Sequence, residues 1–251
     1  MITGATAGIG LAFAQVLASR GHDLILVARD APRLDAVAAD LRAGARVEVR
    51  TFPTDLSDAG QRARIEALLS DDSHPVDVLV NNAGFGLREH FAGSKIEDEQ
   101  RLLDVLVTAV MRLTHAALPG MISRGAGSVI NVSSVAGWIP SGTYSAAKAW
   151  VTVFSESLSA DLSGTGVHVT AVCPGYTHTE FHQRAHMDMR GVPAWMWLDV
   201  QQVVDDALRD VHRGRAVSIP GRQYKILSAL ARHAPRALVR RATGRAAISR
   251  R

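Results

Sequence analysis

Tyr144 and Lys148 stand four residues apart in a segment of helical periodicity, so both side chains leave one helix face and can act on one bound molecule. A free phenol titrates near ~10 and is a poor acid or base at neutral pH, but an ammonium beside it stabilises the phenolate. The pair therefore reads as proton-transfer machinery, with Lys148 lowering the Tyr144 pKa and also free to bond a cofactor ribose. Taken alone, a Tyr-x-x-x-Lys pair is usually an incidental surface pair. Its weight comes from position, because Ser133 and Ser134 end a predicted strand just upstream. The Ser134 hydroxyl is placed to hold a substrate carbonyl or alcohol.

A second constellation lies at the N-terminus. Thr3-Gly4-Ala5-Thr6-Ala7-Gly8-Ile9-Gly10 precedes an amphipathic helix. Its glycines allow a tight turn and a close approach of backbone to a pyrophosphate at the helix N-terminus. Gly4, Thr6, Gly8, Ile9 and Gly10 are thus candidate cofactor contacts, although a glycine-rich turn with no ligand gives the same local pattern. The next strand ends in Val27-Ala28-Arg29, where an acidic residue would grip the adenosine ribose of NAD. Arg29 instead suits a 2′-phosphate, so NADP is expected over NAD. Asp55, in Thr54-Asp55-Leu56, can accept from an adenine amine or cap the helix that starts near Ser57; both readings stay open, and Leu56 goes with it. In Asn81-Asn82-Ala83-Gly84, the small residues let a cofactor pass closely while the amides tie neighbouring strands. Asn82, Ala83 and Gly84 are candidate contacts in a loop expected to be partly structural.

These residues need a scaffold that brings strand C-termini to one edge. Short apolar runs at 23–27, 47–52, 76–80, 128–132, 167–172 and 216–219 alternate with helical segments at 9–20, 31–43, 58–70, 96–118, 143–163, 200–212 and 223–242. That alternation predicts βαβ units in a doubly wound parallel sheet with helices on both faces. The first strand is nearly absent, because Thr3 and Gly4 read as turn and only Met1 and Ile2 remain. A start upstream of Met1 is therefore expected.

The chain has 251 residues, 47% hydrophobic and 21% charged, enough for one substantial core and far from the disordered classes. One cysteine, Cys173, cannot form an internal disulfide. No apolar run reaches the ~20 residues of a spanning helix and no signal peptide is evident, so a cytoplasmic location is expected. From Arg213 to Arg251 there are eleven Lys or Arg and no acid, which leaves −7 on residues 1–212 once that +11 is taken from the net +4. Ile226, Leu227, Leu230, Leu238 and Val239 interleave with these cations. The reading is a catalytic domain over 1–221 and a basic amphipathic tail over 222–251. That tail is a solvated face or a membrane-surface contact, which would make the protein peripheral to a membrane; no nucleic-acid partner is expected, since stacking aromatics are missing.

The motifs TGATAGIG, NNAG, INVSS, YSAAK and PGYTHTE follow the order and approximate spacing of the short-chain dehydrogenase/reductase family, which the chain resembles over residues 3–180. The resemblance implies a Rossmann-like sheet of about seven strands, NAD(P) at its C-terminal edge, and reversible transfer of hydride between a carbonyl and an alcohol. By resemblance Tyr144 is the acid/base, Lys148 its pKa-lowering and ribose-binding partner, and Ser134 the substrate-orienting hydroxyl. Pro174, Gly175, Thr177 and Thr179 fall in the loop that meets the nicotinamide. A homodimer or homotetramer, formed through the helices at 96–118 and 143–163, is likewise implied.

Two departures stand out. Leu106 occupies the place of the family's fourth catalytic residue, an asparagine that helps hold a water leading protons to the lysine. The Ser134 to Tyr144 separation is about three residues below the common spacing, which shortens a substrate-facing loop. Beyond Thr179, Phe181, Met187, Met189, Trp195, Met196, Trp197 and Leu198 mark a lid over roughly 176–200, suited to a small hydrophobic carbonyl or alcohol or else packing on its own core. His178, His182 and His186 recur at four-residue spacing without an acidic or thiolate ligand, so no metal is assigned. The expected function is an NADP(H)-dependent carbonyl reductase or alcohol dehydrogenase; the competing class is a cofactor-binding relative of weak or no activity serving as sensor or scaffold.

Overall fold

The computed structural model describes residues 1–185, 187–235, 237 and 239. Seven parallel strands form one sheet in the order β3-β2-β1-β4-β5-β6-β7. They are β1 Ile2–Thr3, β2 Leu24–Ala28, β3 Val49–Pro53, β4 Val78–Asn81, β5 Gly127–Val132, β6 Val167–Val172 and β7 Val217–Ser218. Leu26, Leu79, Val80, Val129 and Ile130 are fully buried, as expected of strands covered on both faces. Helices α1 Gly8–Ser19, α2 Ala31–Gly44, α3 Ala59–Leu69, α4 Ile96–Leu103, α5 Ala109–Arg124, α6 Gly142–Asp161, α7 Phe181–Arg184, α8 Val200–His212 and α9 Arg222–His233 fill the crossovers and the end of the described chain.

The first strand is as short as expected, two residues, and differs from the expectation by one position. Thr3 belongs to β1 rather than to the turn, and Ile2 pairs with Leu26 on one side and Val80 on the other. Met1 extends the ladder, its terminal amine donating to the Val78 carbonyl and its own carbonyl accepting from the Val80 N–H. Helix starts follow capping chemistry: Asp30, Asp58 and Asp199 accept from the first-turn N–H groups of α2, α3 and α8. α1 differs, because Ala7 at its N-cap has no side chain to offer.

α4 runs through a π-helical turn, Asp104–Thr108, into α5, which makes one helix from Ile96 to Arg124. This helix is long and apolar enough to cross a membrane by length and composition, at mean hydropathy 1.5 over an 18-residue window, where the sequence reading saw no such run. Its apolar residues serve the core instead. Leu102, Leu106, Leu113 and Met121 are fully buried against the sheet and α6.

The predicted helix at 223–242 is described as α9 up to His233. His186 and Leu238 lie outside the described residues.

Candidate active site

The C-terminal ends of β1, β2, β4, β5 and β6 open on one cleft, and the candidate residues sit on the turns that leave them. The turn after β1 passes so near β4 that a Cβ on Gly10 would lie 2.3 Å from the Gly4 carbonyl oxygen and 2.4 Å from Asn82 Nδ2. Gly8 holds φ +54°, and a Cβ there would meet Thr179 at 3.0 Å, so the glycine-rich turn and the loop after β6 face each other. With no side-chain cap and no acid in its first turn, α1 leaves N–H donors toward this space. An anionic pyrophosphate fits that cradle. Gly4, Thr6, Gly8, Ile9 and Gly10 would hold it.

Asn82 is structural as well as proximal. Its Nδ2 donates to the carbonyls of Thr3 at 3.0 Å and Gly4 at 3.2 Å, while Thr3 Oγ1 accepts from the N–H groups of Asn82 and Ala83. Asp55 shows why both of its readings stayed open. One carboxylate oxygen takes the Ser57 N–H and hydroxyl, as an Asx turn does, and the other takes Arg101 at 2.9 Å. Burial works against ionisation here, but the Ser57 bonds and the Arg101 guanidinium outweigh it and hold the carboxyl below its usual range. The cap of α3 is Asp58, not Asp55. Leu56 is buried, with its carbonyl on Arg62. Arg29 is exposed at the end of β2 and pairs with no acid among the described residues.

On the other half of the cleft, Ser134 leaves β5, and Tyr144 and Lys148 leave α6. Ser134 Oγ accepts from the Ala136 N–H at 3.1 Å and caps a 3-10 turn, Val135–Trp138, which spans the shortened loop. Lys148 is 5% exposed, and its Nζ donates to the Val132 carbonyl at 2.6 Å. Behind it, Ser133 Oγ donates to the Lys148 carbonyl at 2.7 Å and bonds Thr152 at 2.8 Å, riveting α6 to β5. Nζ lies 5.7 Å from the Tyr144 ring centroid. Burial pushes the Tyr144 phenol up to about 12, with the nearby Ser134 hydroxyl working against it, and burial pushes Lys148 down to about 8.

In this structure the net direction for Tyr144 is upward, opposite to the lowered value expected from the spacing. The spacing put both groups on one face, but desolvation dominates each of them, and the amine is turned to a backbone carbonyl.

A profile of the short chain dehydrogenase family matches residues 1–190. The chain belongs to that family. As a short-chain dehydrogenase it is an oxidoreductase acting on CH–OH groups with NAD(P). It is 40% identical over 186 residues, 72% of this chain and 73% of the relative, to sulfoacetaldehyde reductase 2 of Chromohalobacter salexigens. A Sphingobium yanoikuyae short-chain dehydrogenase solved with NADPH superposes at TM-score 0.84 with 37% identity, covering 91% of each chain. A bulky-bulky ketone specific alcohol dehydrogenase from Comamonas testosteroni superposes at 0.79 with 33% identity, covering 91% of this chain and 89% of its own.

Within this short-chain dehydrogenase, Leu106 sits on the π-helical turn, 1% exposed, in a cluster with Leu102 and Ala147 that Phe85 and Tyr144 flank. A Cβ on Gly84 would lie 2.8 Å from Leu106 Cδ2 and 4.0 Å from Lys148 Nζ, so leucine and lysine approach the same face of that glycine. An apolar branch therefore stands close to the lysine where the resemblance implies an amide. Thr177 is buried with its hydroxyl on the Gly175 carbonyl, and Pro174 offers its carbonyl to the Val135 N–H. The segment after β6 forms an aromatic chain. Trp197 stacks on His178 at 4.6 Å and meets Tyr176 and His182, and Phe181 reaches Tyr144 at 5.7 Å. A cavity of about 620 Å³ lies between α1 and this segment, lined by Gly8, Gln15, Thr179, Met187 and Trp197 and not by Tyr144 or Lys148.

Two contacts escaped the sequence reading. Arg33, on the first turn of α2, reaches across to Glu180 at 3.0 Å and latches the lid segment to the adenosine side of the cleft. Tyr224 of α9 lies on Gly175, accepts from the Tyr176 N–H at 2.9 Å and donates to the Met196 carbonyl at 2.7 Å. Both are pairs distant in sequence, for which local pattern carries no signal.

Proposed function

We propose that the protein reduces hydrophobic ketones or aldehydes to alcohols with NADPH, and runs the reverse oxidation, with Tyr144 as the proton donor. The observation that carries this reading is the meeting of Ser134, Tyr144 and Lys148 around one phenol, with Phe181 and the Leu106 cluster packed on Tyr144. Gly4 to Gly10, Asp55 and Leu56, Asn82 to Gly84, Lys148, Pro174, Gly175, Thr177 and Thr179 line the path along which the cofactor would lie. When bound, it supplies the hydride for the carbonyl carbon.

The chain handles the proton. Ser134 orients the carbonyl oxygen by a hydrogen bond, and Tyr144, fully protonated at neutral pH, delivers its proton to the oxygen as negative charge develops there. The Lys148 ammonium then faces a phenolate it can stabilise. The aromatic wall excludes water and favours an apolar substituent over a charged one. The match to a dehydrogenase named for bulky ketones supports the substrate class, and the NADPH complex of another similar protein supports the cofactor. Arg29, exposed and paired with no acid among the described residues, supports a 2′-phosphate in the same direction. Met111 and Val153, exposed on α5 and α6, support a homo-oligomer through those helices.

The test is oxidation of NADPH and NADH against a panel of aryl and alkyl ketones and aldehydes, with Tyr144→Phe as control. Turnover with NADPH that Tyr144→Phe abolishes without weakening NADPH binding is the expected result. Equal turnover by Tyr144→Phe would remove Tyr144 as the donor.

A further inference from the structure

Helix α9 is fastened on one side and bare on the other. Tyr224 and Ser228, one turn apart, are buried at 2% and 3% exposure, with Tyr224 bound to Tyr176 and Met196. At ~100° per residue, Ile226 and Leu230 point to the opposite side of the helix. Both are 63% exposed, and Leu227 beside them is 38% exposed. Ile226 and Leu230 form a shallow apolar groove with Ala229, His233 and Ala234. Lys225 lines it and Arg222 stands on the same helix, while Arg232 turns inward to Glu156 of α6 at 3.3 Å; no acidic residue occurs from Arg213 to Arg251. Trp195, 61% exposed, adjoins the helix through its carbonyl, which accepts from Gln223 at 3.2 Å.

We infer that α9 is a docking helix for an anionic lipid surface, with Ile226 and Leu230 entering the acyl boundary and the flanking cations at the headgroups. An aliphatic ridge bordered by cations, with a tryptophan at its rim, is the pattern of a helix lying in a bilayer interface. Charge argues against a second copy docking through this face, which would set Arg222 and Lys225 against like charges. A lipid surface with negative headgroups instead gains from both. Because Tyr224 ties α9 to Tyr176 and Met196, docking would bring the aromatic segment next to substrate dissolved in lipid. The inference stands apart from the proposed reaction and does not need it.

The test is co-sedimentation of the full chain with phosphatidylcholine vesicles, with and without phosphatidylglycerol, for the parent and the double variant Ile226→Glu, Leu230→Glu. NADPH binding in solution verifies that the variant is folded. The expected result is salt-sensitive binding of the parent to phosphatidylglycerol vesicles, with at least about tenfold weaker binding both for the variant and on phosphatidylcholine alone. Three results would overturn the inference: no binding by the parent, equal binding by parent and variant, or a parent assembly in gel filtration that the variant dissociates. The last would assign the ridge to a second copy.

Discussion

Lys148 is asked to be a buried cation, and that demand has a measurable cost. The drop from its ordinary 10.5 to about 8 corresponds to about 3 kcal/mol at ~1.4 kcal/mol per pH unit. Because the pKa is lowered on folding, the unfolded chain binds the proton more tightly. The penalty is therefore fully present below about pH 8 and fades as pH rises toward 10.5. Replacing Lys148 by Met removes the charge and keeps the stem, but leaves the Val132 carbonyl without its donor, which costs ~1–3 kcal/mol. At pH 7 the variant should be more stable than the parent by about 1 kcal/mol. Above about pH 10 only the lost hydrogen bond remains, and the variant should be the less stable of the two. Denaturant melts of the ligand-free proteins from pH 6 upward would show the two stability curves crossing between about 8 and 10. The Tyr144 phenol, pushed up to about 12, titrates in both proteins and leaves the difference unchanged in that range. A gap that stays constant with pH, or a variant less stable at pH 7, would refute the view that an ammonium is held in this site against desolvation.

Three further outcomes test the catalytic reading. Ketone reduction leaves Tyr144 as phenolate and relies on the Lys148 ammonium, so log kcat should fall with unit slope as pH rises through about 8, whereas a flat profile to pH 10 would remove Lys148 from that role. Leu106→Asn should raise kcat by up to about tenfold, worth ~1.4 kcal/mol of barrier, with little change in KM, while lowering stability by ~2–4 kcal/mol because a fully buried leucine is lost; unchanged turnover on a good substrate would end the proton-supply argument. Arg29→Ser should raise the KM for NADPH about ten- to hundredfold and leave that for NADH in place, as expected for loss of a charged hydrogen bond of ~1.5–3 kcal/mol, and a parallel rise for both cofactors would place Arg29 elsewhere.

How far the sequence was legible follows from the range of each signal. Periodicity alternating with β-branched runs located six strands to within two residues and α8 to its ends, because those patterns are local. The glycine-rich turn, Asn82 and the Ser134, Tyr144 and Lys148 set were legible for the same reason: each is a short motif at a strand end. β1 was legible only as a nearly absent strand at Met1 and Ile2, and its extension to Thr3 was not, because that rests on pairing with Val27, far along the chain. The Arg33 latch to Glu180 and the Tyr224 anchor were invisible for the same cause. The direction of the Tyr144 pKa was misread for a different reason. A four-residue spacing reports which face two groups share, but not how much solvent each loses or which carbonyl draws the amine away.

Leu106 connects these points. On one side of Lys148, Ser133 and Thr152 hold its backbone through the Lys148 carbonyl, so the stem cannot retreat. On the other, Leu106 against Gly84 offers no polar atom. The amine donates to the Val132 carbonyl, and burial outweighs the opposing influence of the Cys173 thiol on its pKa. The same leucine that removes a route for protons from behind thus contributes to the desolvation that brings the lysine near neutrality. A lysine that titrates near the working pH can give up a proton through the cleft more readily than one held near 10.5. On the proposed reaction, proton supply to Lys148 would then come from the substrate side rather than past residue 106, and Leu106→Asn measures that difference.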